Sequence, residues 1–407
     1  MLSLRLAIRN IFRNVRRTAF TLAAIAAGCS ALILNGGVIF NIFRGLREDA
    51  IYGRHGHLQI FRRGYTEGHL AHPDRYLIPE DEYPRIRDIL NGAPQVTAVT
   101  RRLSFSGLAQ NRDTTVSFLG EGVEPVVDAK FQKHLTIIAG DGLASDEPFG
   151  VLLGKGLAER VHACPGDYLT LLSQTADGAL NAIDVRVRGI FHGGLKDYDD
   201  WTMKVPLSAA QRLLWSQRIE AIIVLLNDTD ATGAARDRLE HLFASQGLDL
   251  EVRTWEDLAQ FHNQVVALFR RELHVITLIV SVIVILSIAN TMTMSILERT
   301  REFGTLRAMG ARPRRIVGLL LLEGAILGLA GTAAGLVVGA AVARVVSRIG
   351  ITYPSPPGST RPYIGGIDLV PDYLLFSCVS SWTATIVATA LPALRAVQTR
   401  VVDALRQ

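Results

Sequence analysis

Four apolar runs, at residues 18–43, 274–296, 315–346 and 371–394, constrain this 407-residue chain more than any other feature it has. Each is at least as long as the roughly 20 residues an α-helix needs to cross about 30 Å of hydrocarbon. Only a helix or a closed barrel satisfies every backbone N–H and C=O in lipid, so each run is expected to be a transmembrane helix. Four spans place both termini on one side. The 49% apolar content fits a membrane protein that also carries a soluble domain.

Excess Lys and Arg in short loops marks the cytoplasmic side. Segment 1–17 holds Arg5, Arg9, Arg13, Arg16 and Arg17 and no acid. The connector at 297–314, counted from Glu298 to Arg315 at the edge of the third run, holds six arginines against two glutamates. The tail, 395–407, holds Arg395, Arg400 and Arg406 against Asp403. All three read as cytoplasmic, which leaves 44–273 and the loop 347–370 outside. Segment 44–273 carries 26 Lys and Arg against 32 Asp and Glu, so the net charge of +5 arises at the cytoplasmic edges. The basic balance therefore follows membrane topology and gives no support to a nucleic-acid partner.

Within segment 1–17, Leu4, Ile8, Ile11 and Val15 share one helical face and Arg5, Arg9, Arg13 and Arg16 the other. An amphipathic helix on the inner membrane surface is expected, with a simply solvated basic face as the alternative. The Ala-Ala-Gly-Cys29 string leaves a cleaved leader as an alternative for the first run. That run continues through Leu34 and Val38, beyond the 7–15 residues of a leader's apolar region, so a retained anchor is the better reading. Cys164 is the only cysteine in 44–273, so no disulfide closes within that segment.

Segment 44–273 alternates strand-like pieces, such as 57–61, 115–119 and 221–226, with helical ones at 80–90, 156–161, 208–215 and 229–246. This predicts a large mixed α/β domain inserted between the first and second membrane helices. At its end, after an N-cap at Thr254, Leu258, Phe261, Val265 and Leu268 keep a 3-4-3 spacing. One continuous stalk helix entering the second span is expected, paired with a neighbour or packed on its own domain.

The third run carries Gly324, Gly328, Gly331, Gly335 and Gly339, small residues that let helix backbones approach closely in lipid. Glu323 lies about 12 Å into the run from Arg315, at 1.5 Å per residue. An acid at that depth is costly, and either pairs with a polar group on a neighbouring helix or belongs to a conducting pathway.

Several chemistries are missing or weak. No phosphate-binding Gly-x-x-x-x-Gly-Lys-[Ser/Thr] loop occurs, and Gly150 to Gly156 has the wrong spacing. His55 and His57 with His69 and His72 are a weak metal-site candidate that lacks a second ligand cluster. Lys196 to Asp200 reads as a surface turn of hydrogen-bonding carboxylates. No catalytic residue, cofactor or metal ligand is assigned to this chain. The stretch Tyr353 to Gly358 is expected to be a rigid, proline-rich cap.

Taken together, several strings resemble the FtsX/MacB-type permeases of ABC transporters. They are Glu-Arg-x-Arg-Glu-Phe-Gly-x-Leu-Arg-Ala-Met-Gly-Ala at 298–311, the glycine-rich third run with Glu323, Leu391-Pro-Ala-x-Arg-Ala, and Asp403-Ala-Leu-Arg406. In the outer segment, Leu153 to Arg160 and Pro165 to Thr170 are similar to the family's periplasmic core. Gly189 to Phe191, Gly194 to Asp199 and Pro206 to Gln211 lean toward the lipoprotein-releasing, LolC/LolE-like branch.

The resemblance implies a bacterial inner-membrane permease that pairs with a second copy or paralogue. It also implies two copies of a separate ATPase that hold ATP and Mg. The 297–314 loop becomes a coupling helix, with Glu298, Arg299, Arg301, Glu302, Leu306, Arg307 and Met309 as ATPase contacts. The expected function is extraction or export of a lipoprotein or other amphiphile by mechanotransmission, with a periplasmic acceptor or adaptor. The alternatives are an FtsX-like signalling subunit that regulates a periplasmic hydrolase, and a MacB-like export module.

Overall fold

The computed structural model describes residues 9, 13, 15–68, 73–131, 135–175, 177–353 and 363–396. Most of segment 1–14, His69, His72, the proline-rich 354–360 stretch and the tail beyond Ala396 lie outside the described residues. Internal contacts divide the chain into two units. One joins Met1–Arg44, Val265–Tyr353 and Ile364–Gln407, and the other joins Gly45–Gln264 and Pro354–Tyr363.

Among the described residues, four helices are long and apolar enough to cross a membrane. The first is Val15–Ala50, continued by a π-turn at Ile51–His55, and the second is Gln260–Glu298. The third is Pro313–Ile349 and the fourth Pro371–Ala396. A nine-residue connector helix, Thr300–Ala308, lies between the second and third. Hydropathy marks only the apolar part of each helix. Polar helix formers such as Arg47 and Glu48 carry the backbone hydrogen bonds onward. Pro313 opens the third helix, where its missing N–H leaves no bond unmade, and Gly350 closes it at φ 69°.

In the helical unit the glycines of the third helix serve two neighbours. A Cβ on Gly324 would stand 2.4 Å from Thr389 Oγ1, and one on Gly328 about 3 Å from Trp382 and Thr385, all on the fourth helix. Gly331, Gly335 and Gly339 instead face Ile25, Cys29 and Ile33 of the first. The fourth helix meets this face with Ser377, Ser381, Thr385 and Thr389, all buried at a four-residue spacing. The hydroxyls of Ser377, Thr385 and Thr389 donate back to the carbonyls four residues earlier at 2.8–2.9 Å. Small polar side chains can then be buried without an unmet donor.

The second unit is an α/β domain. Its first five strands are β1 (Leu58–Arg62), β2 (Val96–Asn111), β3 (Thr114–Val123), β4 (Thr136–Gly140) and β5 (Gly150–Gly154). The rest are β6 (Tyr168–Gln174), β7 (Leu180–His192), β8 (Thr202–Pro206), β9 (Ala221–Leu226) and β10 (Leu250–Thr254). They form one sheet in the order β10-β1-β9-β2-β3-β8-β5-β7-β4, while β6 bridges β2 and β7. Strand β2 pairs with β3 along 102–111, with β9 at its start and with β6 near its end. The path β2-β3-β8-β5-β7-β6 therefore closes on itself, and β9, β1 and β10 extend from it as an open sheet. Helices at Tyr83–Asn91, Lys155–Val161, Leu207–Leu214 and Thr232–Ser245 present buried apolar faces toward the core.

Two expectations need correction. The helix leading to the second span begins at Gln260, so Leu258 is outside it. Thr254 and Asp257 form a reciprocal capping box that sets off a separate turn, Trp255–Leu258, and Ala259 breaks the helix at ψ 64°. The string from Lys196 is also no surface turn. It opens the helix Lys196–Trp201, in which Tyr198 and Asp199 are buried.

Candidate functional site

The connector is held from inside by a charged pair. Arg299 and Glu323 are only 8% and 5% exposed, and Arg299 Nη1 donates to Glu323 Oε2 at 3.2 Å. The same guanidinium donates through Nε to Glu302 Oε2 at 3.2 Å and lies 5.2 Å from the Phe303 ring centre. Phe303 packs among Ile296, Ile316, Leu320 and Ala393. Burying both charges is tolerable because each meets the other with directed hydrogen bonds.

The seven connector residues singled out in the sequence therefore divide. Arg299 is interior. Glu298 is ion-paired with Arg17, and Glu302 with Arg13 at 2.6 Å. Partial burial opposes ionisation of Glu302, yet Arg13 and Arg299 hold its carboxyl below the usual carboxylate range. Arg307 is half-buried and engaged, while Arg301, Leu306 and Met309 are exposed, Met309 at 71%. Arg13 and Arg17 are paired with the connector, whereas the sequence pattern marks both as topological charge and places Arg13 on the headgroup-facing side of an amphipathic helix. The signal was present as a four-residue spacing matching that of Glu298 and Glu302.

Of the helical residues placed ahead of the second span, Leu258 and Phe261 are half-buried in the α/β unit. Val265 is half-buried and Leu268 62% exposed in the helical unit.

The α/β unit contains a polar centre that sequence reasoning missed. Lys204, 1% exposed, lies 3.2 Å from Asp128 and 3.5 Å from Glu121. Tyr198 donates to Glu121 at 2.9 Å, and Arg54, on the π-turn, sits 5.5 Å from the Tyr198 ring centre. Burial pushes Glu121 toward its neutral form, but Arg102, Lys204 and Arg54 outweigh it and bring the carboxyl down to about 2. Burial and the Glu121 charge together push the Tyr198 phenol well above its ordinary range. Nearby, Asp199 accepts from the Gly193 N–H at 2.6 Å and contacts His192 at 2.7 Å, a structural arrangement.

His57, immediately before β1, is buried against the end of β9. Its Nδ1 accepts from the Leu226 N–H at 3.1 Å, and its Nε2 meets Thr229 Oγ1 at 3.0 Å. That pattern requires a neutral ring with the proton on Nε2, and both nitrogens are engaged within the fold. Beside the π-turn is a cavity of about 320 Å³ walled by Leu46, Ala50, Leu195 and Phe261, with Asp49 and Arg54 at its polar side.

Four apolar helices, a separate α/β unit and an internally braced basic connector define a polytopic membrane protein with a large soluble domain. The description "MacB-like periplasmic core domain" matches residues 18–242, and "FtsX-like permease C-terminal" matches 274–401. The chain belongs to this family of FtsX-like permeases with a MacB-like periplasmic core, and is an ABC-transporter permease of the LolC and MacB type. It is similar to the lipoprotein-releasing system transmembrane protein LolC of Neisseria meningitidis serogroup B. The two are 23% identical over 96% of this chain and 94% of that protein. It is also similar to the macrolide export ATP-binding/permease protein MacB of Psychrobacter arcticus, with 22% identity over 71% of this chain and 42% of that one. Among solved structures, the periplasmic region of MacB from Actinobacillus actinomycetemcomitans aligns with 52% of this chain and 94% of that chain. The TM-score is 0.38 and the identity 16%.

Proposed function

We propose that this chain is the membrane subunit of a transporter powered by ATP hydrolysis in separate subunits. In this reading the connector and both termini are cytoplasmic. The α/β unit, inserted between the first and second long helices, stands in the periplasm. Two ATPase subunits, which hold ATP and Mg²⁺, dock on the connectors of a permease pair formed with a second copy or a paralogue. The cargo is a lipoprotein or similar amphiphile, passed to a periplasmic acceptor or adaptor.

The observation that carries this reading is the construction of the connector. Arg301, Leu306 and Met309 are exposed on a short helix whose base is fixed by the Arg299–Glu323 pair and Phe303. Exposed apolar side chains on a rigid, charged support suit a protein partner. The second helix is unbroken from Gln260 to Glu298, so displacement at the connector travels along it without breaking backbone hydrogen bonds. Similarity to LolC over nearly its whole length supports the cargo class. So does the 320 Å³ cavity, whose lining mixes apolar side chains such as Leu46, Leu195 and Phe261 with the charged Asp49 and Arg54.

Co-purification tests the docking claim. Leu306→Asp combined with Met309→Asp is expected to release the ATPase from the tagged permease while membrane insertion continues; undiminished ATPase recovery rejects the claim. Arg301→Glu is expected to leave ATP hydrolysis running while transport falls. Export that survives deletion of the ATPase gene would sink the transport reading altogether.

A further inference from the structure

The second and third long helices are joined to the connector by the chain itself, whereas the first is separated from it by more than 200 residues of sequence. Two ion pairs tie the first helix's connector-side end to it directly. Arg13 Nη1 donates to Glu302 Oε1 at 2.6 Å, and Arg17 Nη2 donates to Glu298 Oε1. Arg13 and Arg17, four residues apart, meet two glutamates at the same spacing on either side of the break at Arg299, Glu298 closing the second helix and Glu302 in the first turn of the connector helix. Isolated surface pairs contribute little. The Arg13–Glu302 pair is not isolated, because Glu302 also accepts from Arg299, which in turn binds Glu323. Arg17 is itself only 23% exposed, and Thr21 Oγ1 donates to its carbonyl at 3.1 Å. Farther along, the first and second helices meet through apolar contacts among Ile25, Val284 and Ile288. Close packing on the glycines of the third helix also holds the first helix, and the charged pairs add a directional tie at its connector-side end.

We propose that Arg13 and Arg17 clasp Glu302 and Glu298 so that the first helix and the connector move as one body. The first helix is then a second receiver of any displacement an ATPase imparts to the connector. This rests on the connector being the ATPase-docking element. Arg13 and Arg17 act as positioning residues, through the glutamates, and touch neither nucleotide nor cargo.

The test measures distance between spin labels at Ala19→Cys and Ala308→Cys, both exposed positions, in a full-length chain with Cys29, Cys164 and Cys378 replaced by Ser. It is run in lipid nanodiscs, first without and then with the ATPase and a non-hydrolysable ATP analogue. The expected result is one narrow distribution, unchanged by nucleotide. Arg17→Glu is expected to broaden it, and Arg17→Glu with Glu298→Arg to narrow it again, a rescue that a merely structural arginine would not give. Arg17→Ala, checked by thermal melting, guards against loss of fold in the reversal. A distribution equally narrow in Arg17→Glu, or a wild-type distance that shifts with nucleotide, overturns the clasp alone. An ATPase that does not bind the wild-type connector overturns the docking reading, and the second-receiver role with it.

Discussion

At the scale of single residues, the decisive pair is Arg299 and Glu323. Each is buried, so removing one leaves the other charge uncompensated, a loss of about 3–5 kcal/mol where no water reaches it. Arg299→Met is expected to lower the thermal unfolding temperature of the detergent-solubilised chain sharply. Arg299→Met with Glu323→Leu is expected to recover most of the loss, and equal melting of the single and double variants would contradict the pairing. His57 provides a pH prediction. Burial, reinforced by Arg47 and opposed by Asp228, depresses its pKa from 6.5 to about 4. The unfolded chain therefore takes up this proton first as pH falls. The His57 contribution is whole above pH 6.5 and drains away toward pH 4, on the order of 3 kcal/mol in total. Glu121, lowered to about 2, gives up its contribution only below pH 4.5. Urea midpoints at pH 7.5, 6 and 5 should fall for the wild-type chain and fall less steeply in His57→Gln, the remaining slope coming from His55, which burial beside Arg54 lowers to about 3. The local pattern around Glu298 to Met309 treats all seven positions alike as a contact surface, whereas the structure buries Arg299 and pairs Glu298 and Glu302. The partners that divide them sit 24 positions away in Glu323 and nearly 300 away in Arg13 and Arg17, beyond the reach of any short motif.

At the scale of elements, long helices are legible because their apolar runs are local and continuous. What a run cannot reveal is which neighbour occupies each stretch of a helix. The glycine spacing of the third helix marked one close-packing face, and the fold divides it between the first and fourth helices. The division has a measurable consequence. A Cβ on Gly335 would lie 2.7 Å from Cys29 Cβ and 2.8 Å from the Ala26 carbonyl, whereas one on Gly318 meets nothing within 4 Å. Gly335→Ala is expected to destabilise by about 1–3 kcal/mol through overpacking. Gly318→Ala is expected to be neutral or to stabilise by up to about 1 kcal/mol through helix propensity. Equal melting temperatures for the two would contradict the packing. The hydroxyl stripe at Ser377, Ser381, Thr385 and Thr389 was readable at four-residue spacing, yet small polar residues in an apolar run draw attention only once the glycines opposite them are seen. The break at Ala259 was harder to read, because the 3-4-3 pattern starts at Leu258, in the separate turn that the capping box opens, and runs on past the break.

At the scale of the whole molecule, charge alone assigns a side to each segment, and Cys164 tests it. Cys164 is exposed in the α/β unit, Cys29 is buried and Cys378 half-buried in the helical unit. A membrane-impermeant maleimide added to intact spheroplasts is expected to label the chain, and Cys164→Ser to abolish the labelling. Labelling that requires permeabilised cells would reverse the orientation. Mixed α/β character was legible from alternating strand and helix patterns, but the sheet order was not. Strand β2 joins a closed ring to an open sheet by pairing with three strands, two of them more than 50 residues away, a choice made by long-range packing rather than by β2's own sequence.

By itself, then, the sequence determined whatever depends on short-range solvation: the number of membrane runs, the basic connector, the α/β character and the absence of a phosphate-binding loop. Tertiary structure decided which charges are spent inside the chain and which stay exposed. Arg299 and Arg301 are two residues apart in one motif, and burial against Glu323 makes the first a brace while the second stays exposed.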